Sequence, residues 1–190
     1  KAKAAGRDIP DLIEKCVDEE LNILDDLSKL TPLEINEYMD YDGFLPAWEN
    51  SMLNLKEEYQ RKINSLSVTG YGIYAKYNAF VLKNDKIVPV KYPDRQSLDD
   101  LYGYERERNL IIRNTKALID GSGASNMLLY GDAGTGKSSS VKAVCNHFKN
   151  DGLRLLEIKK NQLYKIPNIV DELSANPLKF VIFIDDLSFT

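Results

Sequence analysis

The residues best placed to do chemistry are Gly131-Asp132-Ala133-Gly134-Thr135-Gly136-Lys137-Ser138, a G-x-x-x-x-G-K-S phosphate loop that follows the apolar run Leu128-Leu129-Tyr130 and opens a helical pattern. Three glycines free the backbone to take positive φ and bring successive N–H groups up to phosphate oxygens. The helix opening near Lys137 adds the positive end of its dipole. On this reading the whole segment through Ser139 binds nucleotide, Lys137 pairs the β- and γ-phosphates, and Ser138 ligates Mg²⁺. The competing explanation is a glycine-rich turn that merely joins a strand to a helix.

A second constellation lies downstream. Phe180-Val181-Ile182-Phe183-Ile184 is an unbroken apolar run that ends in Asp185-Asp186. A buried strand that delivers acids at its carboxyl end puts them where open α/β sheets hold ligands. Asp185 is the candidate Mg²⁺ holder, directly or through water, because a hard cation on phosphate takes one or two carboxylates and keeps several waters. Asp186 is then the candidate for polarising an attacking water, with Lys137 supplying positive charge at the γ-phosphate. No arginine presents itself as a finger: Arg154 reads as preceding a strand, and Arg106, Arg108 and Arg113 read as one solvated helix face. His147 suits the end of the phosphate-loop helix, where a cation complements the dipole.

These residues need elements to position them. Residues 1–66 read as a small helical module: Ile13, Val17, Leu21 and Leu24 at helical spacing, a capping box at Thr31-Pro32-Leu33-Glu34, and a longer helix through Trp48, Met52, Leu55, Tyr59 and Ile63. Residues 67–95 turn β-like, with a hairpin expected about Asn84-Asp85, read as a connector or platform. Tyr71, Tyr74 and Tyr77 suit packing in a small sheet better than base stacking. Residues 96–190 return to helix and then alternate: strand 126–130, helix 137–149, strand 153–158, helix near 167–175, strand 179–184. Strict alternation predicts an α/β fold with a parallel sheet covered on both faces.

The chain has 190 residues, 43% of them hydrophobic and 28% charged, enough for one sizeable core and a smaller second one. Residues 1 to 65 carry 8 basic and 15 acidic side chains and the remainder 17 and 14, so the acidic amino-terminal part is no nucleic-acid arm. Cys16 and Cys145 each fall on a helical apolar pattern and read as buried free thiols. One histidine leaves a His/Cys metal site without ligands. No run approaches a membrane span and no signal peptide opens the chain, so the expectation is a cytoplasmic protein with no membrane partner. The chain starts at Lys1 and stops just past an apparent buried strand, which suggests a piece of a longer protein.

Taken together, Leu101-Tyr102-Gly103-Tyr104-Glu105, Asn114-Thr115, the segment from Asn126 to Ser139, and Ile184-Asp185-Asp186-Leu187-Ser188-Phe189 resemble AAA-type ATPases. More narrowly, they resemble an uncharacterised bacterial family of such proteins named only as a domain of unknown function, from about Gly70 to the end. The resemblance implies a partial AAA-type core carrying Walker A and Walker B. It implies ATP and Mg²⁺ as ligands, with Gly103 and Tyr104 beside the adenine. It also implies Mg²⁺-dependent hydrolysis coupled to an unknown protein or nucleic-acid client, and ring-like homo-oligomers. Sensor, arginine finger and lid would follow Thr190. In such sheets a further strand separates the two Walker strands, so strand 126–130 is expected either to pair directly with 180–184, to pair with another chain, or to lie beside residues outside this sequence. Asp186 stands where glutamate is usual, which shortens the reach to water. A non-hydrolysing nucleotide-gated adaptor is therefore the alternative, and a small-molecule kinase a further one. A GTPase is disfavoured, because the chain lacks Asn-Lys-x-Asp and has Ser188 and Phe189 where the Asp-x-x-Gly glycine would fall after Asp185 and Asp186.

Overall fold

Period-two alternation in two apolar strands organises the larger of two bodies. The computed structural model describes residues 7–39, 41–44, 46–50 and 53–187, which divide into a helical unit ending at Asn64 and a second unit from Ser65 onward.

In the second unit, β1 (Ala79–Lys83), β2 (Lys86–Pro89), β3 (Leu153–Ile158) and β4 (Lys179–Ile184) form one sheet in the order β2-β1-β3-β4. β1, β3 and β4 run parallel, whereas β2 is antiparallel to β1. The fold is α/β, but the sheet is mixed rather than purely parallel. The reason is the hairpin. Asn84 and Asp85 both take positive φ, 47° and 62°, a two-residue turn whose twist matches the strands it joins. This hairpin is no separate connector: β1 sits beside β3, with Phe80 opposite Leu156.

Leu153, Leu155, Val181 and Phe183 face one side of the sheet, against Ile111 of α6 (Glu105–Asp120) and Val141, Val144 and Cys145 of α7 (Lys137–His147). Leu156, Ile158, Ile182 and Ile184 face the other, with Phe80 and Leu82 of β1, against Ile169 and Leu173 of α8 (Ile166–Ser174). Tyr74 lies edge-on to Phe180, ring centroids 5.5 Å apart, and 4.9 Å from Phe80. Burial, with the Glu172 carboxylate adding to it, pushes its hydroxyl up to about 12.

Arg154 does not precede β3; it is the second residue of that strand and is buried. Its guanidinium donates to the carbonyls of Tyr74 (2.8 Å), Lys149 (2.9 Å), Leu153 (2.8 Å) and Thr69 (3.3 Å). A planar fork of donors can satisfy several carbonyls at chain reversals where no strand reaches them. Residues 65–77 are thereby fastened to the sheet.

The expected strand 126–130 is absent. Residues 123–130 are in no ladder, Leu128 and Tyr130 are 71% and 91% exposed, and neither pairs with β4. A strand exists through its neighbour's hydrogen bonds. Among the described residues, β4 has β3 on one side and no strand on the other.

In the helical unit, α1 (Asp11–Lys29) lies along α3 (Leu55–Asn64), joined by the Lys56–Asp18 ion pair at 3.0 Å. α2 (Pro32–Tyr38) opens with the expected capping box: the Glu34 N–H donates to Thr31 Oγ1 (3.2 Å) and the Thr31 N–H to Glu34 Oε2 (2.7 Å). The third helix is shorter than expected. Trp48 precedes it and donates its indole N–H to the Leu30 carbonyl at 3.2 Å, and Met52 lies outside the described residues. Cys16 is exposed, not buried; its neighbours Val17 and Leu21 on α1 are the half-buried ones. Short helices α4 (Leu66–Thr69) and α5 (Ile73–Lys76) complete the described set, in which no helix is long and apolar enough to cross a membrane.

Two outcomes follow from this packing. Cys145 is buried, which pushes its thiol up to about 12. It is therefore neutral at pH 8 and should resist alkylation, so quantitative thiol labelling should find Cys16 alone in the native protein and both cysteines in denaturant. Arg154→Ala should lower the unfolding free energy by about 3 kcal/mol in urea denaturation, because it orphans buried carbonyls. Arg154→Lys should recover only part of it.

Candidate functional site

The phosphate-loop sequence folds as its glycines permit. Gly131, Gly134 and Gly136 have φ of 144°, 81° and 77°, values that a side chain would penalise. The Thr135 hydroxyl donates to the Asp132 carbonyl at 2.9 Å and closes the bend. Gly136 then caps α7, whose first backbone bond runs from the Ser140 N–H to the Gly136 carbonyl at 2.8 Å. The N–H groups of Lys137, Ser138 and Ser139 fall in the first turn, which has no intrahelical acceptors for them. A helix opening of this form suits an anion.

Lys137 folds back over its own loop. Its ammonium donates to the carbonyls of Gly131 (2.9 Å) and Asp132 (2.7 Å) and approaches Thr135 Oγ1 at 3.4 Å. These are neutral acceptors, which an incoming anion can outcompete for a cation.

At the carboxyl end of β4, the Ser138 hydroxyl donates to Asp185 Oδ1 at 2.8 Å. The two groups come from positions 47 residues apart. Asp186 follows with φ of 52°, in the left-handed region that Asp tolerates better than most residues, and its N–H donates to the same Asp185 oxygen at 3.2 Å. A hydroxyl and a carboxylate that close together are hard oxygen donors, suited to Mg²⁺, which would fill its remaining positions with phosphate oxygens and water. Among the described residues no group of three His, Cys, Asp or Glu could hold a metal, so such an ion would depend on a phosphate ligand.

Gly131, Ala133, Lys137, Ser138, Asp185 and Asp186 line one open groove of about 1080 Å³. Its apolar lining comes from Ile111 of α6, Val141 and Val144 of α7, and Val181 and Phe183 of β4, and the segment 124–130 lines it as well. Gly103 and Tyr104 do not line it. They form a left-handed pair, φ 72° and 54°, at the start of α6.

Two side chains do more here than their sequence context suggested. Arg108 is no solvated side chain: its guanidinium donates to the Leu101 carbonyl at 2.9 Å and to the Gly103 carbonyl, and so shapes the loop that carries Gly103 and Tyr104. Asn114 of α6 accepts from the Ser125 N–H at 2.9 Å and donates to the Ser125 carbonyl at 2.8 Å. The available signal was an asparagine in mid-helix, a poor helix former that usually earns its place with its side chain. His147 ends α7 as expected, stacked edge-on to Phe148 at 4.7 Å.

Residues 75–190 match the family model described as "Protein of unknown function (DUF815)". The chain belongs to this family. The match spans the hairpin, the glycine loop and both aspartates, so the groove of this DUF815 chain lies within the family's own segment. Searches of curated proteins and of solved structures gave no match.

Proposed function

We propose that this DUF815 protein is a P-loop ATPase of AAA type, which binds ATP with Mg²⁺ and couples its hydrolysis to remodelling or switching of a protein or nucleic-acid client. The observation that carries the reading is the pair Ser138 and Asp185, 2.8 Å apart beside a glycine loop that opens α7. Phosphate binding needs backbone donors, a mobile cation and a place for a hard metal ion within reach of one another. Here Gly131 to Lys137 supply the first two, and Ser138 with Asp185 the third.

Each residue then has a task. The Lys137 ammonium exchanges the Gly131 and Asp132 carbonyls for phosphate oxygens. The backbone through Thr135, Gly136 and Ser139 surrounds the phosphate chain. Ser138 and Asp185 would hold Mg²⁺, which when bound neutralises charge between the β- and γ-phosphates. Asp186 orients or deprotonates the attacking water. In this reading Gly103 and Tyr104 meet the adenine, and copies of the chain assemble into a ring.

One observation favours the second reading, a nucleotide-gated adaptor that does not hydrolyse. The guanidinium groups of Arg108 and Arg154 are committed to backbone carbonyls, and Asp186 has one methylene less reach than a glutamate. The two readings separate in one set of assays on the full-length protein. Calorimetry should show Mg²⁺-dependent ATP binding that weakens at least about tenfold in Lys137→Ala and loses its Mg²⁺ dependence in Asp185→Asn. Unchanged binding in Lys137→Ala would defeat both readings. Phosphate release should fall at least about a hundredfold in Asp186→Asn, a variant that keeps the side-chain shape and tolerates the same positive φ. Binding without turnover in the wild type would select the adaptor; transfer of phosphate to a small acceptor would point to a kinase.

A further inference from the structure

The segment that leads into the glycine loop has no β ladder to hold its register, and one side chain does that work instead. An extended residue presents its N–H and C=O to the same side, where a neighbouring strand would normally take both. At Ser125 both are taken by the carboxamide of Asn114, at 2.9 and 2.8 Å. Beyond it, residues 126–130 are in no strand, Met127, Leu128 and Tyr130 are exposed, and only Leu129 packs on the core formed by α6, α7 and β4. Six residue steps separate Ser125 from Gly131, at most about 20 Å at roughly 3.3 Å per residue. Asn114, Ser125, Gly131, Lys137 and Ser138 all line the same groove.

We propose that Asn114 is a positioning residue for the phosphate loop, standing in for a strand neighbour at Ser125 and setting where the chain enters Gly131. The inference rests on the nucleotide-binding reading and adds a specific claim to it: binding of the phosphate chain depends on a carboxamide on α6 that the phosphates never touch. The alternative role, simple support of the fold, would weaken every ligand and every part of the core alike. Register control is selective. Without the clamp the chain between Ser125 and Gly131 is free to shift and misdirect the loop amides, while α6 and the sheet keep their own hydrogen bonds.

The test compares wild type, Asn114→Ala, Ser125→Pro and Lys116→Ala in the full-length protein. Ser125→Pro removes the donor on the loop's side of the clamp without touching α6. Lys116→Ala alters only a surface ion pair on the same helix. Calorimetry with MgATP and with AMP gives the first readout: Asn114→Ala and Ser125→Pro should each bind MgATP about tenfold more weakly, while AMP affinity stays within twofold of wild type and Lys116→Ala matches wild type for both. The second readout needs no nucleotide. In ¹H–¹⁵N spectra, the Gly131, Gly134 and Gly136 cross-peaks should move in both clamp variants while those of Gly70 and Gly152 stay in place. Equal losses for MgATP and AMP, an undiminished MgATP affinity, or unmoved loop glycines would overturn the positioning role. If the wild type takes up no nucleotide, the ATPase reading falls, and the glycine cross-peaks still decide the clamp.

Discussion

The hydrogen bond from Ser138 to Asp185 is the contact that makes one site out of two sequence segments. It joins the first turn of α7 to the carboxyl end of β4, and it requires that the helix lie across the sheet with its amino terminus at that end. Burial supplies the requirement. Val141, Val144 and Cys145 leave solvent against Leu153, Leu155, Val181 and Phe183, and only one rotation of α7 about its axis buries all three. That rotation sets Ser138, one helical turn earlier, over the end of β4. The chemistry proposed for the site is thus a consequence of core packing.

The sheet is held from both ends of the unit by side chains that replace missing backbone partners. Arg154 satisfies carbonyls at Thr69, Tyr74, Lys149 and Leu153, four acceptors from two stretches of chain. Asn114 does the same for Ser125 at the groove, and Arg108 for Leu101 and Gly103. In each case a polar side chain on a regular element reaches backbone carbonyls or amides of a neighbouring loop or helix end, and around Arg154, where the contacts are part-buried or buried, the cost of an unpaired carbonyl is largest. β4, which among the described residues has no strand beyond it, and the unladdered segment 124–130 both line the groove, and Val181 and Phe183 are left half-buried.

What was legible in the sequence was local. The Asn84-Asp85 turn, the Thr31/Glu34 capping box, β3, β4, α7 and α8 each carry their determinants within a few residues, and they fold within one or two positions of the expected bounds. What was illegible depends on partners far along the chain. Residues 126–130 have the composition of a strand but no neighbour to pair with. Arg154 looks solvent-seeking until residues 69 and 74 bring carbonyls to it, about eighty positions away by the chain. The hairpin read only as a connector or platform because no local signal says that β1 will lie beside β3. Cys16 falls on the apolar pattern of α1 yet is exposed, and periodicity does not say which part of a stripe is used. Of the candidate site, the glycine loop and both aspartates were readable as motifs; the clamps of Asn114 and Arg108 were not, because nothing local says which backbone group a helix's polar side chain will meet.

In the proposed function, Ser138 and Asp185 are adjacent in order to share a metal ion on a triphosphate. A crystal structure of the full-length protein with Mg²⁺ and a non-hydrolysable ATP analogue tests it most directly. The account predicts phosphate oxygens against the backbone from Gly134 to Ser138, and an ion about 2.1 Å from the Ser138 hydroxyl with Asp185 in its first or second coordination sphere. An analogue bound at full occupancy away from the glycine loop, or seated there with the Ser138–Asp185 hydrogen bond unbroken and no ion between phosphate and serine, would contradict it.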